Sequence, residues 1–161
     1  MTKEFISEKL FKLSALNAKE VRRFFDDPDH FEQRHVDVSN EYLERRYSLE
    51  HQTLVSTFRG VDLASLYSDM LFNMSEENIS WIADQFLHNM KKSHVRAELT
   101  CRFDTFFLSD EEQSHLLDGC VGVVYDGTKF VPTNDYKIVF DWNKQYRSVR
   151  AITAYPILPM D

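Results

Sequence analysis

The chain has 161 residues, of which 43% are hydrophobic and 28% charged, and its net charge is −7. That length and composition fit one globular domain and exclude a disordered or collagen-like chain. Two cysteines, Cys101 and Cys120, are too few for a disulfide framework. No apolar run approaches the roughly 20 residues a membrane helix needs, and the interleaved acids and bases of the first residues do not read as a secretory signal peptide.

The charge excludes nucleic-acid binding by bulk attraction, which a basic surface would give. Its distribution is uneven: residues 35–120 hold 7 bases and 15 acids, whereas residues 1–34 hold 7 of each. A local anion site remains compatible with such a chain, without help from long-range steering.

In chain order, a first helix is expected over about 3–13, with Ile6, Leu10 and Leu13 on one stripe. Asn17 and Glu20 have the spacing of a capping box, predicting a second helix that turns Val21, Phe24 and Phe25 inward. Asp26-Asp27-Pro28-Asp29 is expected to end it, because the residue before proline resists helical torsions. Ser39 is a candidate N-cap for a helix through about Tyr47. Thr53–Phe58 reads as a short extended segment stopping at Arg59-Gly60. Asp62 caps a predicted helix carrying Leu63, Leu66, Met70 and Leu71, and Ser75 starts another carrying Ile79, Ile82, Phe86 and Met90. From Val95 to Phe107 the period changes to two, the mark of a half-buried antiparallel strand. Ser109–Glu112 can start one helical turn. Cys120–Tyr125, an Asp126-Gly127 turn and Lys129–Val131 read as a hairpin. Tyr136–Trp142 and Arg147–Tyr155 are two further strands joined by residues 143–146. Helices first and antiparallel strands later predict an α+β fold.

Phosphate-binding glycine loops, His-Glu-x-x-His, nucleophile elbows and EF-hand loops are all missing from the sequence. None of the six histidines forms an i, i+4 pair on a predicted helix, so neither a metal nor another cofactor is expected. The chemically informative residues are His35, at the edge of an element, Arg46 about two turns into the following helix, and Thr153 and Tyr155. The last two lie two apart on an extended run and so share a face. Histidine can act as acid or base near neutral pH, arginine binds phosphate through a planar fork, and hydroxyls can donate to phosphate oxygens. These residues make a phosphate-chemistry set only if the fold gathers them, and Arg46 approaches His35 only if the chain folds back between them. Taken singly, each has an ordinary role as a helix-edge residue, a solvated charge or a β-former.

His35-Val-Asp-Val-Ser-Asn-Glu-Tyr-Leu43-Glu-Arg-Arg46, then Ser56-Thr57-Phe58, Ile79-Ser-Trp81 and Thr153-Ala-Tyr-Pro156 occur in an order that resembles bacterial ribonuclease A-like toxin domains. Those domains are the C-terminal warheads of contact-dependent inhibition and related polymorphic toxins. The likeness spans about residues 30–158, with little of it between Lys91 and Asp135. Asp37 stands where that pattern has a glycine, and Ile79-Ser-Trp81 replaces Ile-x-x-Trp.

The resemblance implies one domain over 1–161, with 1–29 a helical lead-in and 30–161 a kidney-shaped ribonuclease A-like core without disulfides. It implies metal-independent cleavage of RNA, tRNA among the candidate substrates, by attack of the ribose 2′-OH to leave a 2′,3′-cyclic phosphate. DNA, lacking that hydroxyl, would be spared. His35 would be general base or acid, Arg46 the cation on the phosphorane, Thr153 a donor to a phosphate oxygen, and Tyr155 either the group orienting His35 or the second proton carrier. His30 and His51 are further candidates for the unfilled proton-transfer role. The implied partners are the RNA substrate and a cognate immunity protein, with no membrane anchor. The implied location is the target-cell cytoplasm, after secretion as part of a larger toxin, or else the cytoplasm. The acidity also fits another class, a non-enzymatic immunity-type binding protein whose acidic middle covers a basic partner, or a relative that kept the fold and lost catalysis.

Overall fold

The computed structural model describes residues 1–51 and 53–160. Helices α1 (Lys3–Ser14), α2 (Pro28–His35) and α3 (Asn40–Glu50) precede strand β1 (Val55–Phe58), and α4 (Leu63–Phe72) and α5 (Glu76–His88) follow it. Strand β2 (Val95–Arg102), the short helix α6 (Asp110–Ser114) and strands β3 (Gly122–Tyr125), β4 (Phe130–Thr133), β5 (Asp135–Asn143) and β6 (Ser148–Pro156) complete the chain. The strands form two antiparallel sheets, ordered β1-β3-β4 and β2-β5-β6. The fold is therefore α+β, helices leading and antiparallel sheets following, and both cysteines are free.

Local sequence explains most boundaries. Thr2, Asp27, Ser39, Asp62, Ser75 and Ser109 each accept a hydrogen bond from a first-turn amide of the helix they precede, meeting donors that no intrahelical carbonyl can reach. Ser109 and Glu112 close a reciprocal capping box. In β2, Val95, Ala97, Leu99 and Cys101 are buried while Arg96, Glu98, Thr100 and Arg102 are exposed, as the period of two requires.

Three expectations are revised. Asn17 uses its side chain to accept from Lys19 and Glu20 amides, but only a 3₁₀ turn, Val21–Phe24, follows. Pro28 opens α2 instead of only closing what precedes it, because its fixed φ and missing N–H suit the first helical position. The strand that starts at Val95 stops at Arg102, where the Asp104 carboxylate accepts from the Phe106 amide and turns Thr105–Phe107 into a 3₁₀ turn, leaving Phe106 and Phe107 exposed.

The opening residues are built into the main core. Ile6, Leu10, Leu13, Phe24 and Phe25 join Phe86, Phe140, Trp142 and Ala151 in one cluster, and residues 25 and 151 pair as a parallel bridge. A second cluster, Leu43, Val55 and Val123, fastens α3 to the β1-β3-β4 sheet. The site lies where α2 packs on both β1 and β6, at the junction of the two sheets.

Candidate active site

His35 is the last residue of α2, and Phe31 one turn earlier shares its buried face. Phe31 is fully buried and stacked on Phe25 with ring centroids 4.0 Å apart, so the histidine rides on a rigid aromatic wall. After α2 the chain must reverse. Val36 pairs with Phe58 in a parallel bridge, and the Asp37 amide donates to the Phe58 carbonyl at 2.7 Å. Asp37 then takes φ +52°, a left-handed conformation that favours glycine and that Asp tolerates better than most residues. Its carboxylate accepts from the Gly60 amide at 3.0 Å. Arg59 donates to Asn40 and to the Val38 carbonyl. The end of β1 thus pins the link between α2 and α3, and that reversal brings Arg46 back beside His35.

Arg46 lies on the same buried side of α3 as Leu43. Its Nε donates to Glu50 Oε1 at 3.4 Å, one helical turn along, and its guanidinium lies 5.8 Å from the Tyr42 ring centroid.

Thr153 and Tyr155 reach the site through an irregularity in β6. Thr153 pairs with Val139 while Ala151 pairs with Phe140, so Ile152 is an extra residue, a β-bulge. Before the bulge Val149 and Ala151 face the core, whereas beyond it Ala154 and Pro156 do. The shift of one residue turns Thr153 and Tyr155 outward, and the Tyr155 ring comes to 6.0 Å from the His35 ring, centroid to centroid.

All four residues line one cleft of about 690 Å³, together with Arg34, His30, His51 and Ser56. His35 is 8% exposed and Arg46 7%. Among the described residues, His35 Nδ1 and Arg46 Nη1 are buried without a hydrogen-bond partner, a costly state for an interior polar group. Burial, and then the positive charges of Arg46 and Arg34, lower the His35 imidazole from 6.5 to about 3, with the Ser56 backbone opposing. At neutral pH it is uncharged, with a lone pair that the burial makes only weakly basic. Glu50 accepts from Arg34 Nη2 at 2.9 and 3.1 Å. Desolvation works against the Glu50 carboxylate, but its bonds and charge pairing with Arg46 and Arg34 prevail and hold it below the ordinary carboxylate range.

Arg34, Glu50 and Ser56 were not singled out from the sequence. For Glu50 a signal existed in its i, i+4 spacing from Arg46, and for Ser56 in the matched block Ser56-Thr57-Phe58; for Arg34 only the tertiary fold supplies one. Of the matched blocks, Ile79 is core and Trp81 is exposed on α5, away from the residues lining the cleft. Among the described residues no three His, Cys, Asp or Glu side chains converge as metal ligands, and no helix is long and apolar enough to cross a membrane. No protein-family model, curated protein or solved structure matches the chain.

Proposed function

We propose that the cleft cleaves RNA by metal-independent transphosphorylation, in the manner of the ribonuclease A-like toxin domains the sequence resembles. The observation that carries this reading is the convergence of His35, Arg46, Thr153 and Tyr155, from three separate elements, on one cleft. Neutral His35 removes the proton of the ribose 2′-OH. The 2′-oxygen attacks phosphorus, the bond to the 5′-oxygen breaks, and a proton passes to that oxygen, leaving a 2′,3′-cyclic phosphate and a 5′-hydroxyl. Arg46, whose side chain lines the cleft, sets its guanidinium charge against the charge that builds on the phosphorane, and Thr153 donates to a phosphate oxygen. Tyr155, against the imidazole, orients it. The acid is drawn from the cleft's remaining proton carriers, His30, His51 and Tyr155. Arriving phosphate offsets the two guanidinium charges that depress His35, so the base strengthens when substrate is present.

The position of Asp37 supports the resemblance, since its left-handed φ is the conformation for which the toxin pattern's glycine is suited. The biological setting that follows is release from a larger secreted toxin, action in the cytoplasm of a target cell and neutralisation by a cognate immunity protein. Purified protein in EDTA, incubated with total RNA or tRNA, is expected to give 2′,3′-cyclic phosphate ends and to leave DNA intact. His35→Ala is expected to lower the rate by about 10²–10⁴-fold; cleavage by that variant at the wild-type rate removes the assignment.

A second reading, an acidic immunity-type binder or a catalytically degenerate relative, draws on one observation. Phe72, Phe106 and Phe107 are 74%, 84% and 73% exposed; the Phe107 ring packs against both of the others, and Phe72 and Phe107 lie beside Asp69 and Asp104. An apolar patch with an acidic border suits a binding protein. Intact RNA under all conditions, with protection against a partner toxin, is the result that favours it.

A further inference from the structure

Two guanidiniums, not one, face the proposed substrate position. Arg34 precedes His35 on α2, Arg46 lies on α3, and both line the cleft. Their only shared partner among the described residues is Glu50, at the end of α3, which accepts from Arg34 Nη2 at 2.9 Å and from Arg46 Nε at 3.4 Å. Glu50 is half-buried, its side chain 30% exposed, as is that of Arg34 at 32%. A carboxylate between two arginines cancels much of their repulsion and fixes two long side chains that would otherwise sample many rotamers. It engages Arg46 at Nε alone, and among the described residues the buried Nη1 has no partner.

We propose that Arg34 is a second phosphate-contacting cation of the cleft, and that Glu50 is a positioning residue holding Arg34 and Arg46 side by side as one cradle. This rests on the RNA-cleavage reading for its kinetic consequences but not for its binding ones. Arg34 then holds the ground-state phosphate, in substrate and transition state alike, while Arg46 stabilises the charge that grows during reaction. Removing a cation of the first kind raises KM and spares kcat; misplacing one of the second kind lowers kcat.

The test uses a 2′-O-methyl RNA pentanucleotide, which presents the phosphates but lacks the nucleophile, and a cleavable RNA of the same sequence. Arg34→Ala is expected to weaken pentanucleotide binding about 10–100-fold, the worth of a hydrogen bond to a charged group. It should also reduce the salt slope of log K by about 0.7, one phosphate contact on a single strand, and raise KM with kcat within about threefold. Arg34→Lys, keeping charge without the fork, should recover part of the loss. Glu50→Gln removes a negative charge, so its binding is expected to hold or tighten while kcat falls about tenfold as Arg46 loses its orientation; Glu50→Asp should recover part of kcat.

Arg34→Ala with unchanged affinity and salt slope overturns the cradle, as does Glu50→Gln with wild-type kcat. A wild-type protein that fails to bind the pentanucleotide overturns it too. Binding that is lost in Arg34→Ala, from a protein that cleaves no RNA, upholds Arg34 in the cradle and removes the nuclease reading.

Discussion

Acid should destabilise this protein through one histidine. His35 is 8% exposed and faces Arg46 and Arg34, with His30 a weaker positive neighbour. Burial first, and these charges next, lower its imidazole from 6.5 to about 3. Between those values the unfolded chain holds a proton on this residue and the native chain does not. Unfolding then takes up a proton, so stability rises with pH across the window and falls as the solution is acidified from 6.5 toward 3. At pH 5 the unfolded imidazole lies about 1.5 units above the solution pH, which at about 1.4 kcal/mol per unit costs the native state about 2 kcal/mol. That is a sizeable part of the 5–15 kcal/mol typical of a folded domain, roughly speaking. Denaturant melts of the wild type and His35→Gln at pH 7.5 and pH 5 measure it, because shifts from every other group cancel in the difference between the two proteins. The wild type should lose about 2 kcal/mol more than the variant between these conditions. An equal loss in both would mean that His35 titrates normally in the native state, refuting the account of a desolvated imidazole beside two guanidiniums. The same depressed imidazole should leave kcat/KM for RNA cleavage without an acidic limb near 6.5, since that ratio reports the free protein's base.

Other outcomes follow from single contacts. Arg46→Lys keeps a charge but loses both the fork and the Nε bond to Glu50, and should lower kcat about 10²–10³-fold in the RNA assay. Asp37→Gly relieves the left-handed φ of +52° and, with loss of the bond to Gly60, should leave the melting point nearly unchanged, whereas Asp37→Val should cost about 1–2 kcal/mol in denaturant melts. A Cβ on Gly122 would stand 2.6 Å from Pro156 Cγ, so Gly122→Ala should displace the end of β6 and cost about 1–3 kcal/mol of stability, measured the same way.

How much of this was legible beforehand differs by level. Capping residues named Ser39, Asp62, Ser75 and Ser109 correctly because a first-turn amide needs an acceptor within a few residues, and such chemistry is local. The alternation from Val95 was equally local, and so was the Asp126-Gly127 turn. Residues 26–29 do end the helical turn before them, but Pro28 also opens α2, and the rule for a stop does not by itself announce the start that follows. The four site residues were nameable, but their meeting was not. It depends on the reversal at Asp37, held by Phe58 and Gly60 from a distant strand, and on the bulge at Ile152. Nothing in Arg150-Ala-Ile-Thr-Ala-Tyr announces an extra residue. Without the bulge, Thr153 and Tyr155 would continue the inward face of Val149 and Ala151. Arg34 escaped notice for a similar reason: a charged residue near a helix end reads as solvated until a carboxylate from another helix claims it.

The site also reconciles a chemical contradiction in the composition. A chain with a net charge of −7 has no favourable far field for a polyanion, so any attraction for phosphate must be short-ranged. Short-ranged attraction is strong only where water is thin. Two charges at 4 Å interact by about 1 kcal/mol in bulk water and by about 4 kcal/mol at the effective dielectric near a protein surface. Arg46 is 7% exposed and anchored to Glu50 through Nε, so Glu50 meets part of its desolvation in the folded protein. A phosphate arriving there gains the stronger interaction without first ordering a flexible side chain. The same burial keeps His35 uncharged but weakens it as a base, so its proton affinity recovers only when a phosphate offsets the neighbouring guanidinium charges. Acidity of the whole and cationic chemistry at one point are therefore compatible, provided that the cations are few, partly dry and held in place. The Arg34–Glu50–Arg46 arrangement meets those three conditions.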